Sequence, residues 1–248
     1  MLEISLMIIA GFFGGFVGAQ VGSGAMITLP ALLFLGLPPT LAIGTNILSG
    51  WLINVVAFLK YLKSGRIVLE AQTASFSVVA FIGSLIGAQL LLYIDKSVLT
   101  KIVAFFFVAL IVFVLKKPPL HQKEGRVIKQ WHIDVAAILS FIIGIYGGFF
   151  SVAVTTFFMF VLVYLLGKSL LEAAAESVFI ISIVLSVALI IFIKAGNINY
   201  YYAIPLAVSS VVGSWVGAAT AIKFGDKWIR GLLVVTVLFV VIKLLSGF

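Results

Sequence analysis

Cysteine is absent and acidic residues are scarce in this 248-residue chain, and both absences narrow what it can do. Without a thiol there is no disulfide, no thiolate metal site and no thiol nucleophile, and the redox compartment stays open. Eight Asp and Glu stand against sixteen Lys and Arg, and charged residues of all kinds are 10% of the sequence. Hydrophobic residues are 63%, and mean hydropathy is +1.31. A soluble domain of this composition would have almost nothing left to face water, so the chain is expected to be an all-α polytopic membrane protein. The excess charge of +8 sits singly or in short loops between apolar runs. That pattern fits loop bias and contact with anionic lipid headgroups rather than nucleic acid. No Lys or Arg precedes the first apolar run, so no cleaved signal segment is expected. His121 and His132 lack metal-ligand spacing, and no G-x-S-x-G elbow, phosphate loop or dinucleotide fingerprint occurs. Neither an enzyme nor a bound metal or cofactor is expected.

What the chain does have is glycine inside membrane-length apolar runs. G-F-F-G-G-F-V-G-A-Q-V-G-S-G spans Gly11 to Gly24, and G-I-Y-G-G-F-F-S-V-A-V-T-T spans Gly144 to Thr156. Apolar blocks run over 4–36, 40–62, 67–93, 98–115, 133–166, 170–193, 198–224 and 229–245, which makes eight. A bilayer core needs about 20 helical residues. The first and fifth blocks hold 33 and 34, too many for one crossing and too few for two. Each is expected to be a broken helix or a re-entrant pair of half-helices, because irregular backbone in a bilayer survives only against protein or a water-filled cavity. Pro30 falls inside the first of them and adds to the expectation of a break.

The halves resemble one another. Gly14-Gly15-Phe16 matches Gly147-Gly148-Phe149 at a spacing of 133, and Lys63, Gly65 and Ile67 match Lys194, Gly196 and Ile198 at 131. Gly83-Ser84 with Gly87-Ala88 matches Gly213-Ser214 with Gly217-Ala218 at 130, and Asp95-Lys96 matches Asp226-Lys227 at 131. Such order and constancy point to duplication. The expected organisation is a first membrane repeat over 1–115, a cytoplasmic linker over 116–130 and a second repeat over 131–248. If the first and fifth blocks return to the side they started from, twelve of the sixteen basic residues collect beside the linker. The two halves are then inverted pseudo-symmetric repeats, with both termini outside the cell membrane.

The run G-G-F-V-G-A-Q-V-G-S-G-A-M-I-T-L-P-A-L-L-F-L-G-L-P-P, followed by A-I-G-T-N at Ala42 to Asn46, resembles the signature of the sulfite exporter TauE/SafE family, also called the toluene sulfonate uptake permease family. In the second half the pattern is degenerate. Ser151 to Thr156 and Val163 replace the glycine-rich run and its proline, and Ala173-Ala174-Ala175-Glu176-Ser177 stands opposite Ala42 to Asn46. The resemblance implies a multi-pass membrane transporter, with a prokaryotic plasma membrane as its setting. Its substrate would be a small sulfur-containing anion such as sulfite, thiosulfate, a sulfonate or sulfoacetate.

Residue chemistry points the same way. A break at Gly22-Ser23-Gly24 presents a half-helix N-terminus, a site for an anion that needs no cationic side chain. Gln20, Ser23, Thr45 and Asn46 supply neutral donors nearby, with Ser151, Thr155, Thr156 and Ser177 at the corresponding places of the second half. Glu176 lies at membrane depth, where a carboxyl group is expensive, and is expected either to carry a proton with the solute or to make a structural hydrogen bond. Glu172 and Glu70 read as helix-start charges, and Asp95 and Asp226 as caps of the blocks that follow them. Gly83, Gly87, Gly213 and Gly217 read as helix-packing positions. Expected partners are the small anion and membrane lipid, and a homo-oligomer is compatible with such a chain. The alternative function is a structural or lipid-handling membrane protein, which would leave the first and fifth blocks as continuous helices.

Overall fold

Both overlong blocks break just past their glycine-rich stretch. The computed structural model describes residues 2–22, 24–65, 70–94 and 128–245, with side chains up to 236. In chain order the helices are α1 (Leu2–Val21), α2 (Ala25–Phe34), α3 (Pro39–Lys63), α4 (Ala71–Tyr93), α5 (Gln130–Phe149), α6 (Val154–Leu166), α7 (Leu170–Lys194) and α8 (Tyr200–Leu245). The described residues hold no strand. The block expected over 98–115, the linker as far as residue 127, His121, Asp95 and Ser23 lie outside the described residues.

Six of these helices are long and apolar enough to cross a membrane, and α2 and α6 are the two that are not. At 10 and 13 residues they reach about half to two thirds of the way through a bilayer core. Gly24 lies against Gly14 and Gly18, so α2 runs back along α1 as a re-entrant hairpin. In the same way Val154, at the head of α6, lies against Gly147. Pro30 does not make the first break: it sits inside α2, where its fixed φ is already helical and only one hydrogen bond is forfeited. The blocks expected at 198–224 and 229–245 are two helices, numbered together as α8, that meet at a kink where Gly225 leaves the helical conformation (φ 65°, ψ −156°).

Glycine also sets how the helices pack. A methyl group at Gly11 or Gly15 of α1 would strike the carbonyls of Leu206 and Ser210 of α8, and one at Gly213 or Gly217 would strike those of Phe12 and Phe16. The same zipper joins α4 to α5, where Gly83 and Gly87 meet the carbonyls of Phe141 and Ile145 and Gly144 and Gly148 meet those of Ala80 and Ser84. Without side chains between them, the backbones approach to contact, which is how apolar helices hold together in lipid. Within each pair the residue numbers rise together, so α1 is parallel to α8 and α4 to α5.

Between the two pairs stand α3 and α7. Trp51 Nε1 of α3 donates to Ser186 Oγ of α7 at 2.7 Å. Ser214 of α8 donates to the carbonyl of Ile53, and Ser84 of α4 to that of Val184, both at 2.7 Å. One end of the bundle gathers Glu3 with Tyr202 (2.7 Å) and Thr45 with the amide of Asn199 (3.0 Å). The opposite end gathers Lys168, Glu70, Glu176 and Asp226. Helix α1 starts at the Glu3 end, whereas α5, parallel to α4, starts at the Lys168 end. Outward faces carry Ile8, Ile9, Phe13, Val78, Ile138, Val208 and Val212, an apolar surface suited to hydrocarbon and not to water.

Candidate functional site

The two breaks touch. Thr156 Oγ1, in the first turn of α6, donates to the carbonyl of Val21 at 2.5 Å, and Gly22 packs directly on Thr155 and the Thr156 amide. Glycine is required at 22 on two counts, since its φ is +71° and any Cβ would run into that first turn. The second break turns without glycine: Ser151 and Ala153 both adopt φ 56°, and Tyr146 OH donates to the Val152 carbonyl at 2.7 Å. A left-handed conformation outside glycine is costly and is kept only where the surroundings hold it.

Around the junction lies a cavity of about 20 Å³, room for about one water molecule. Asn46, Asn54, Ser151 and Thr155 give it polar atoms, and Gly18, Gly22, Gly24, Gly50, Ile53 and Leu185 complete much of its wall. None of its lining residues is charged. Helices α2 and α6 both begin at this cavity, so their leading amides, which have no carbonyl one turn earlier to bond to, are presented beside it. Asn46 is buried, its Oδ1 accepts from Thr28 Oγ1, and its Nδ2 has no partner among the described residues. Exchanging the ends of the amide would leave the other atom unpartnered instead. Ser151 Oγ, buried in the opposite half of the chain, also has none. Asn54 donates to the Gly50 carbonyl at 2.7 Å and receives a long contact from Thr155 at 3.4 Å.

Five of the residues singled out in the sequence therefore come together: Gly22, Gly24, Asn46, Ser151 and Thr155. Thr156 braces the junction from outside the cavity wall. Gln20 does not reach the site, because its amide is spent on the Phe16 carbonyl (2.9 Å) and on Trp228 Nε1 (2.6 Å). Thr45 faces away, donating to Leu41 at 2.7 Å and accepting from Asn199 at the head of α8. Ser177 is buried with an unpartnered hydroxyl but does not line this cavity. Asn54 was missed. Its signal was an amide in the middle of the apolar run W-L-I-N-V-V, two helical turns after Asn46.

Glu176 lies outside the cavity in a network at the bundle end. Lys168 Nζ contacts Glu70 and stands 3.0 Å from Glu176, whose second oxygen accepts from Thr73 at 2.7 Å. Burial alone would lower the Lys168 pKa, but hydrogen bonds and charge from Glu70 and Glu176 outweigh it and hold the ammonium above its usual value. Glu172 is a helix-start acid, exchanging hydrogen bonds with Ser169 in a capping box. Asp226 caps not the helix that follows it but α7, accepting from the amides of Leu170 (3.2 Å) and Leu171 (3.0 Å).

A family model described as Sulfite exporter TauE/SafE matches residues 7–244. Among curated proteins, the chain is 28% identical over 243 residues to the probable membrane transporter protein ORF9 of a Sinorhizobium species, covering 98% of this chain and 92% of that one. It is 26% identical over 244 residues to the probable membrane transporter protein YfcA of Escherichia coli, covering 98% and 90%. A probable membrane transporter protein of Haemophilus influenzae is 28% identical over 232 residues, covering 94% and 90%. No solved structure gives a significant match.

Proposed function

Because the chain belongs to the sulfite exporter TauE/SafE family and is a multi-pass membrane transporter, we propose that it carries a small sulfur-containing oxyanion through the cavity where its two broken blocks meet. One observation carries this reading: two buried polar groups without partners among the described residues, Asn46 Nδ2 and Ser151 Oγ, come from opposite halves of the chain to one cavity at which two half-helices begin. A buried donor left unmade costs about 1–3 kcal/mol, so such groups persist where a solute uses them. Helix starts and neutral donors suit an oxyanion that must bind and then leave, since no fixed cation holds it.

The cavity is smaller than such an anion, so passage needs a second conformation in which α2 or α6 withdraws. The opposed starts of α1 and α5 support inverted repeats, with the site between them. Lys60, Lys63, Lys168, Lys223, Lys227 and Arg230 lie toward one end, against Lys194 at the other, which supports a cytoplasmic Lys168 end and an outside N-terminus. The structural or lipid-handling alternative calls for continuous first and fifth blocks, and both are broken.

The test is uptake into proteoliposomes of labelled sulfite, thiosulfate, taurine and sulfoacetate, with and without an imposed pH gradient. At least one should accumulate over empty liposomes and fail to do so with Gly22→Leu. Stimulation by the gradient that survives Glu176→Gln would remove Glu176 as the proton carrier. Failure of all four solutes in folded protein would overturn the proposed substrate class.

A further inference from the structure

Between the cavity and the Lys168 end of the bundle lies α6. Its first turn rests on Gly22, and its last ends at Gly167 and Lys168, whose amide bonds back to the Leu162 carbonyl at 3.2 Å. Lys168 is therefore fixed to α6 through its backbone. Its side chain, 13% exposed, reaches across to Glu70 at the head of α4 and to Glu176, 2% exposed, on α7. Thr73 of α4 holds the other oxygen of Glu176. Two polar contacts thus tie the outer end of one re-entrant helix to two crossing helices, and a third joins those two helices to each other.

A buried ion pair adds little net stability over an apolar packing of the same volume, yet losing one partner is expensive. It behaves as a two-position element, either closed with the charges on each other or open with both hydrated. The matching junction at the other end has no such element. At an offset of 131 residues Leu37 stands for Lys168 and Thr45 for Glu176, and the bond there is neutral, Asn199 N–H to Thr45 Oγ1. Packing and that neutral bond hold the junction, so an ionic one is not a requirement of the fold.

We infer that Glu70, Lys168 and Glu176 form a latch that pins α6 in place and closes the transport cavity toward the Lys168 end. The inference rests on the transport reading above. Opening the latch frees α6 to withdraw from Gly22, and the solute leaves on that side.

The absence of cysteine makes the test clean, since any introduced thiol is the sole one. Ser151→Cys places it in the cavity wall, and a membrane-impermeant maleimide reports access from each face in intact cells and inside-out vesicles. Lys63→Cys, exposed at the same end, identifies which preparation presents that end. Adding Lys168→Met or Glu70→Gln should speed labelling of Ser151→Cys from the Lys168 side roughly tenfold, a shift of about 1.4 kcal/mol, and leave the other side unchanged. Unchanged rates in monodisperse protein, or equal acceleration from both faces, would overturn the latch. If Lys168→Met does not fold, Glu70→Gln at its half-exposed position decides alone. Labelling needs no solute, so failure to transport any sulfur anion would be a separate result.

Discussion

The two re-entrant hairpins end in unlike ways. After α2 the chain passes Gly36 (φ 81°), buries Leu37 and enters α3 through Pro38 and Pro39. After α6 it passes Gly167 (φ 66°), sends Lys168 into two carboxylates and enters α7 through a Ser169 capping box with Asp226 on its first amides. The backbone solution is the same, a left-handed glycine followed by a helix start, and the side chains differ completely. Backbone geometry is thus what the two halves share, and charge is what distinguishes their two ends. A transporter that opens alternately to either side must treat its ends differently at some moment. Here the two ends already differ in the residues that stand at them.

The largest effect should come from the point where the hairpins meet. Gly22→Leu forces a side chain onto Thr155 and into a left-handed φ, so uptake should disappear and thermal stability in detergent should fall by about 1–3 kcal/mol. Normal uptake by this variant would place the solute path elsewhere.

Next comes the comparison itself. Lys168→Leu makes the second junction like the first but leaves Glu176 buried and unpaired, which should cost about 3 kcal/mol in a denaturant or thermal titration. Adding Glu176→Thr, the residue found at the matching place, should recover most of that loss. If the double variant is no better than the single, the two junctions are not interchangeable solutions.

A smaller change separates binding from scaffold. Asn46→Leu removes a donor in the cavity and should raise KM roughly 10- to 100-fold, corresponding to about 1–3 kcal/mol. Thr45→Val, although adjacent in sequence, removes the acceptor for the Asn199 amide and the bond to the Leu41 carbonyl, neither of them in the cavity. It should lower stability by about 1 kcal/mol while leaving KM unchanged. Equal KM effects would mean that the face assigned to Thr45 is wrong.

The smallest expected change is with pH. The raised pKa of Lys168 means that its contribution is fully present below the ordinary lysine value and is lost only as pH climbs through the higher one. The difference in melting temperature between the wild-type protein and Lys168→Leu should therefore be the same at pH 7 and pH 9.

The breaks were legible in the sequence because length alone forbids a single crossing of 33 or 34 apolar residues, and in the first block glycine marks where the chain gives way. Pro30 misled, since proline inside a short helix costs one bond and need not end it. Thr45 and Gln20 were read as site donors because sequence spacing locates a residue along a helix but not the neighbour that claims its hydrogen bonds. Asn54 was missed although its amide interrupts an apolar run, because such an amide can be satisfied by its own helix, as its bond to the Gly50 carbonyl shows, and still line a cavity. The pairing of Lys168 with Glu70 spans 98 residues, and that of Asp226 with Leu171 spans 55. Such contacts belong to tertiary packing, which local pattern does not encode.

The glycine zippers between α1 and α8 and between α4 and α5 have a mechanical meaning. Backbones in direct contact leave no slack to slide or part, so each pair acts as one stiff slab, and each slab is made of one helix from the first half of the chain and one from the second. The line along which this molecule can flex therefore does not follow the midpoint of its sequence. It runs between the slabs, past α3 and α7, so that a strain applied to either half of the polypeptide is delivered at once to the other.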